Sequence, residues 1–430
     1  MKDTVPNIIE KKNTRSRWRI TGLTILLVIL ILVFLVIVTA NSANPYNSDF
    51  LKFYLSARFW LGEQSIYTPA TLDTLPEDIQ IDPDLFANPI LPNLNPPFQS
   101  LLISPFGLLN YPNAYWTWSL VSLALGLLAV YLIFNAYQEE LHSLHVFELS
   151  IIFLLFFPTI LSILSGQISI ILLFLITIAW VSARKRKDRL AGIALGIALS
   201  FKIFSGLFIP VLIIQRRWNL LKWYLGTFIT CNLVAIFLVG WDDHIEYLKT
   251  ISSITWYSAS WNTSFMGFFT RIFGDSESIP IIDSPITGLI LTLVLSTLAV
   301  LLLLWLAKNT GIDNKYDFDL VFSLTIISIL LISPLGWIYY YVVLIIPLIV
   351  AWSAAKQLDN KLLKELVVGA WILCSIPYAL LIQGEEIRPI DIFIWSGFPL
   401  YGLLLFMIIL VILFWNSRNK IYNFPGNDLG

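Results

Sequence analysis

This sequence is poor in charge, nearly free of cysteine and histidine, and has no surplus of either sign. Only 13% of its 430 residues are Asp, Glu, Lys or Arg, about half the share of an ordinary globular domain. That argues against a water-soluble domain of the usual kind, and an apolar share of 57% rules out a disordered chain. The 27 basic residues are matched by 28 acidic ones, which excludes bulk binding of nucleic acid. Cys231 and Cys374 both lie in apolar runs and are too few for a disulfide scaffold or a cysteine zinc site. His142, His145 and His244 are too few for a His-rich metal site. A Walker loop, a dinucleotide glycine fingerprint, an HExxH pair and a nucleophile elbow are all missing. ATP-driven transport and zinc proteolysis therefore lack their parts.

What is present is a series of apolar runs and many rings: 16 Trp, 17 Tyr and 29 Phe. Rings of this kind anchor helices at lipid–water interfaces. A span takes about 20 mostly apolar residues, and in lipid its backbone must pair internally, so the runs read as helices. They fall at 20–40, 113–135, 149–164, 168–183, 221–240, 285–307, 320–333, 337–354, 365–382 and 392–415. Two half-length runs, 190–201 and 203–214, meet at Phe201-Lys202. The expected fold is all-α: a polytopic transmembrane bundle of about 12 helices over 20–415, between a basic tail, 1–19, and a second tail, 416–430. The first run is too long for a signal-peptide core and has no clear small-residue cleavage site, so it reads as a retained anchor.

Basic residues set the orientation. With the N-terminus inside and the chain alternating, 21 of the 27 fall on the inner side, in clusters such as 184–189 and 216–222. Lys52, Arg58, Lys202, Lys249, Arg271 and Arg388 are the exceptions. Both termini are then cytoplasmic in a multi-pass protein of a bacterial-type cytoplasmic membrane. The alternation holds only if 190–214 returns to its own side, which puts Lys202 at a helix break near membrane depth. Two long connections, 41–97 and 241–284, lie outside and carry thirteen acidic residues against four basic ones. Connections this long concentrate binding and catalysis.

Asp49 follows the first helix in Asn47-Ser48-Asp49-Phe50 and precedes an amphipathic stretch, Phe50 to Leu61, suited to the membrane interface. It reads as a helix N-cap or as a carboxylate able to take a proton from a sugar hydroxyl, and the two are compatible. Lys52 and Arg58 on that stretch point about 120° apart, so they either snorkel to lipid phosphates or, for Arg58, contact a substrate phosphate. Lys202 is an ionisable group inside an apolar stretch, which marks a functional candidate by default. Gln167, in Ser165-Gly166-Gln167, is either part of a tight turn or a sugar ligand. Asn262-Thr263-Ser264 fits a glycosylation acceptor or, beside Trp261, Phe265 and Phe268, a sugar-stacking patch. Ser333-Pro334-Leu335-Gly336-Trp337, followed by Tyr339, Tyr340 and Tyr341, is either a helix-breaking turn with an aromatic belt or part of a site. The Asp82-x-Asp84 pair faces away from cytoplasmic nucleotide sugars and carries no such role.

Taken in order, these segments resemble glycosyltransferase family 87, enzymes of the C-type glycosyltransferase fold. The resemblance begins at Asp49-Phe50-x-x-x-Tyr54-x-x-Ala57 and runs through Leu61-Gly62, Ile66-Tyr67 and Asn95-Pro96-Pro97-Phe98. It continues through Ser165-Gly166-Gln167, Ala191-Gly192, Gly196, Lys202, Pro210 and Arg216-Arg217-Trp218 to Trp261-Asn262-Thr263-Ser264 and the Ser333–Trp337 motif. It covers roughly 45 to 350, with two departures: Asn95 stands where an aromatic is common, and Tyr339-Tyr340 where His-Tyr is common. The resemblance implies transfer of a hexose, commonly mannose, from a polyprenyl-phosphate donor to a lipid or glycan acceptor at the outer face. By that resemblance Asp49 would be the base and Lys202 would hold the donor phosphate; from its place on the helix Arg58 is a further phosphate candidate, and with a single phosphate and cations at hand no metal or cofactor is expected. Tyr54, Tyr67, Asn95, Gln167, Trp261, Asn262, Ser264, Trp337, Tyr339 and Tyr340 would line the substrates. A flippase, or a polymerase or ligase of lipid-linked saccharides, is the competing reading.

Overall fold

Each apolar run forms helix in the computed structural model, which describes residues 5–42, 49–71, 75–76, 79, 93–138, 145–274, 280–310, 314–377 and 389–422. The stretch 44–48 before Asp49, the Asp82-x-Asp84 pair and Arg388 lie outside these residues. The long helices are α1 (Val5–Ser42), α4 (Tyr111–Ala136), α7 (Ser169–Arg184), α10 (Trp218–Val239), α13 (Pro285–Lys308), α14 (Lys315–Ile332) and α17 (Pro389–Tyr422). Between them run α5 (Val146–Leu155), α6 (Phe157–Leu164), α8 (Asp188–Phe201), α9 (Phe208–Ile214), α15 (Ile345–Gln357) and α16 (Lys361–Ser375). Three more, α2 (Phe50–Leu61), α11 (Trp241–Ser252) and α12 (Phe265–Phe273), stand in the two long connections, and α3 (Pro97–Ile103) follows the first. Among the described residues there is no strand beyond a one-residue bridge between Asn262 and Trp337. The protein is an all-α polytopic membrane bundle.

Among the described residues, six helices are long and apolar enough to cross a membrane, and α5 with α6 makes a seventh, bent by 65°. The bend has a local cause. Pro158, in the first turn of α6, cannot continue a helix from α5, and Phe156 before it is extended at ψ 119°. The span Ile338–Gln357 is 89% buried, whereas Trp18–Ser42, the apolar part of α1, is 11% buried.

The half-length pair closes as a hairpin. Helix α8 stops at Phe201, Lys202 is extended (φ −146°, ψ 115°), and the chain turns through a 3₁₀ segment, Ile203–Leu207, into α9. Its two ends meet: Arg217, after α9, pairs with Asp188 at the start of α8 and donates to the Ala183 carbonyl at 3.2 Å. Helix α8 runs alongside α10 at close range. A Cβ on Gly192 would meet the Leu220 carbonyl oxygen at 2.6 Å, and one on Gly196 would meet Thr227 Cβ at 2.6 Å. This small-x-x-x-small approach is how helices pack where the surroundings are as apolar as their own side chains. From that register Lys202 lies roughly 10 Å short of the far end of α10. Gly196→Val should push α8 off α10, lower stability by about 1–3 kcal/mol and reduce activity at least tenfold by moving Lys202. Gly226→Ala, where an added Cβ meets nothing within 4 Å, is the control; equal behaviour of the two would refute the packing argument.

Polar contacts sort to the two ends of the bundle. At one end Arg19 pairs with Glu148 at 2.6 Å, and Gln215 reaches Thr310 at 3.4 Å. There too the buried Asp319 carboxylate accepts from Tyr137 Oη at 2.6 Å and Trp180 Nε1 at 2.8 Å, with Arg184 Nε 3.1 Å away. This cluster ties together the ends of α4, α7 and α14. Asp319→Ala should cost about 3–5 kcal/mol, because it leaves the buried Arg184 charge without its carboxylate partner. Thermal unfolding in detergent reads this, and a Tm within a degree of the parent would count against it. The opposite end holds Asp49, Gln167, Lys202 and Trp337.

Candidate functional site

The site is built on a turn. Gly166, between α6 and α7, has φ +61°, a conformation that glycine adopts without strain. Three donors anchor the turn: Trp118 Nε1 to the Gly166 carbonyl at 2.7 Å, Tyr115 Oη to Leu164 at 2.8 Å, and Phe50 N to Ser165 at 3.0 Å. The last of these docks the first residue of α2 onto the turn. Asp49 therefore stands beside Gln167. Gln167 Nε2 donates to Asp49 Oδ2, while Lys52 Nζ donates to Oδ1 at 2.9 Å. The Asp49 side chain makes no N-cap hydrogen bond, so of the two sequence readings the cap is overturned: Gln167 and Lys52 hold the carboxylate instead.

Helix α2 has the expected bounds, and its apolar face packs on protein. Phe50, Tyr54 and Ala57 are fully buried, and rings of Phe106, Tyr111, Tyr115 and Trp118 pack around Phe50. A helix anchored by its apolar face to the protein holds Asp49 more firmly than one floating at lipid.

Lys202 arrives from the hairpin tip. It lies within electrostatic reach of Asp49, and its Nζ is 5.5 Å from the centre of the Tyr340 ring. Tyr340 packs on Phe204 at 5.0 Å and on Tyr339 at 4.8 Å. Both tyrosines also feel the Asp49 charge. Asp49, Gln167, Lys202, Tyr339 and Tyr340, spread over 290 positions of chain, thus come together at one end of the bundle.

Two further candidates sit in an adjoining layer. Tyr67 Oη donates to the Asn95 carbonyl at 2.6 Å, and its ring lies 6.0 Å from that of Tyr247. Burial, with Tyr247 and Asp243 nearby, drives the Tyr67 hydroxyl far up; burial pushes that of Tyr247 up to about 12. Both remain protonated donors at neutral pH. Tyr247 interacts electrostatically with Tyr340 and links the layers. Trp337 stacks on Trp256 at 5.5 Å, and its ring lies 6.5 Å from that of Tyr339.

Other expected residues are occupied otherwise. Arg58 is exposed, and its Nη1 donates to the Gly107 carbonyl at 3.2 Å; no contact joins it to Asp49 or Lys202 among the described residues. Tyr54 is buried and donates to the Leu109 carbonyl at 2.8 Å. Asn262 is a clasp. Its Nδ2 donates to Tyr257 and Pro334 carbonyls at 2.9 and 2.8 Å, and its Oδ1 accepts from Ser264 Oγ and Gly336 N at 2.9 and 3.0 Å. A side chain with every polar position used and no exposed area cannot accept a glycan or bind a sugar. Ser264 caps α12 by accepting from Gly267 N, and Phe265 and Phe268 are buried rather than open for stacking. Trp261 is partly buried, and its carbonyl accepts from Ile338 N at 3.0 Å, part of the same clasp. The clasp matters indirectly, since it fixes the Ser333–Trp337 loop that leads into Tyr339 and Tyr340.

Sequence reasoning missed two residues. Lys52 was assigned to lipid, although its i,i+3 spacing from Asp49 permits the ion pair that forms. Gln99 is fully buried with neither amide atom hydrogen-bonded among the described residues, and no sequence signal marks it. It stands one residue after Phe98, whose ring stacks on Phe201, the neighbour of Lys202.

Fold and site define a polytopic membrane protein with a carboxylate and a cation gathered at one end of its bundle. The chain belongs to glycosyltransferase family 87, whose family model matches residues 93–334, and it is a membrane glycosyltransferase. The match contains Gln167 and Lys202, while Asp49, Tyr339 and Tyr340 lie outside it. No curated protein matches the chain.

Proposed function

We propose that the protein moves a hexose, with mannose the first to test, from a polyprenyl-phosphate donor to a glycan or lipid acceptor at the outer face of the cytoplasmic membrane. The observation that carries this is the Asp49 carboxylate, held by Gln167 and Lys52 within electrostatic reach of Lys202 at a helix break. A carboxylate has about four lone-pair positions, so two donors leave room for an acceptor hydroxyl. Asp49 takes that hydroxyl's proton as the oxygen attacks the anomeric carbon. The bond from that carbon to the phosphate oxygen breaks, its electron pair leaves with the polyprenyl phosphate, and the anomeric centre is inverted. Lys202 stabilises the charge growing on the leaving phosphate. Gln167 acts as a positioning residue for Asp49, and Tyr339 and Tyr340 form the aromatic wall on which a sugar face can rest. Arg58, engaged with Gly107, is left out of the phosphate site. A single phosphate facing a lysine requires no metal.

Membranes containing the protein, supplied with a panel of polyprenyl-phosphate sugars, should form a glycoside of inverted configuration. Product from diphosphate donors alone would favour a polymerase or ligase. Movement of lipid-linked sugar across vesicles with no new glycosidic bond would favour a flippase. The orientation has its own test. A cysteine at position 276, in place of Ser276, should react with an impermeant thiol reagent added outside, and one replacing Lys187 should not; the opposite pattern would invert the topology.

A further inference from the structure

We infer that a basic patch at the end of the bundle away from Asp49 binds the phosphate headgroup of an anionic membrane lipid. It is a shallow depression open to the surface, of about 440 Å³, between the α7–α8 turn and the start of α10, lined by Arg186, Lys187, Arg189, Leu190, Ile193 and Asn219, with Asp188. The carboxylate of Asp188 is committed to Arg217, and Arg186 is close enough to Arg217 for their charges to repel. The lining is therefore cationic overall, and an anion would relieve that repulsion.

The backbone fixes where these cations stand. The α7–α8 and α9–α10 turns have the same geometry. Arg186 and Arg216 sit at φ +56° and +52°, and each is followed by a residue near φ −85°, ψ 60°. Lys187 N and Arg217 N close the turns on the Ser182 and Leu212 carbonyls at 2.9 and 3.0 Å. This left-handed position past a helix end favours glycine, yet both turns keep arginine there. Arg189 is held with its guanidinium 4.6 Å over the Trp223 ring.

The surroundings distinguish a lipid from a free anion. Leu190 is 48% exposed and Trp218 is 58% exposed beside the depression. A soluble phosphate gains nothing from this apolar border, whereas acyl chains below a headgroup cover it. Basic pockets between membrane helices recognise anionic headgroups in this way. The site is remote from the proposed transfer site and does not depend on that reading.

The test is thermal unfolding of the full-length protein in a neutral detergent with added phosphatidylglycerol, phosphatidylcholine or inorganic phosphate, alongside native mass spectrometry of retained lipid. Phosphatidylglycerol should raise the Tm and be retained, phosphatidylcholine and inorganic phosphate should do neither. Retention should fall roughly fivefold for each cation removed in Lys187→Gln and Arg189→Gln. Arg186→Gly should lose retention while keeping or raising the lipid-free Tm, since glycine relieves the turn. Retention unchanged in all three variants, or no preference for phosphatidylglycerol, would overturn the proposal. A Tm rise equal with inorganic phosphate would replace the lipid by a small anion and overturn it as well.

Discussion

Asp49→Asn is expected to slow sugar transfer by about 10²–10⁴-fold, the usual contribution of a positioned general base. The substitution keeps the size of the side chain, and a carbonyl oxygen can still accept from Gln167 Nε2. It removes the ability to take a proton, and it removes the charge that pairs with Lys52 at 2.9 Å. That ion pair is about a quarter to a third exposed on each side, so its loss should cost at most about 1 kcal/mol of stability. The diagnostic result is therefore a large fall in single-turnover rate with an almost unchanged Tm and donor affinity. Gln167→Leu should give a smaller fall in rate with the same donor KM, as befits a residue that orients the carboxylate without touching the sugar. Transfer by Asp49→Asn within twofold of the parent would remove Asp49 from the mechanism.

Lys202→Met should reduce kcat by about 10²–10³-fold, comparable to the loss of one charge-stabilising donor at a reacting oxygen, and should also weaken donor binding. Methionine has nearly the length of lysine and suits apolar surroundings. An ammonium group at membrane depth is costly unless something faces it, and its removal should leave the Tm unchanged or raise it. Loss of activity joined to undiminished stability marks a group kept for chemistry rather than for folding. Lys202→Arg should restore part of the rate, because it keeps the charge while altering its geometry. A substantial drop in Tm with Lys202→Met would make the lysine structural, its partners Asp49 and the Tyr340 ring being its reason.

Much of the helical plan was legible because lipid removes alternatives. An apolar run with no water to satisfy its backbone has to form helix, and each of the twelve runs does so. The break at Lys202 was legible for a related reason: basic clusters at both ends of 190–214 required the chain to return, and Arg217 meets Asp188 where it does. The bounds of α2 were readable as well, but its environment was not. Period 3.6 shows that one face is apolar without saying whether lipid or protein covers it, and here protein covers it.

The site was legible only in parts. A carboxylate after the first helix and a lysine in an apolar run stand out individually, since each is costly or conspicuous where it lies. Asn262 and Gln167 looked alike as polar residues at outer turns. One proved to be a four-bonded clasp, the other a donor to Asp49. The difference depends on which acceptors stand nearby, and the distant ones, the Pro334 carbonyl for Asn262 and the Asp49 carboxylate for Gln167, lie 72 and 118 positions away.

The scarcity of charge thus determined by itself that this chain lives in a membrane, where its helices run, and which few ions need an explanation. Tertiary structure alone decided which ions meet. Lys52 turns to Asp49 and Arg58 to Gly107, although both are basic residues on one short helix. The physical reason is range: backbone pairing and hydrophobic periodicity act within a few residues, whereas a site is assembled by packing α2, the α6–α7 turn and the α8–α9 hairpin against one another.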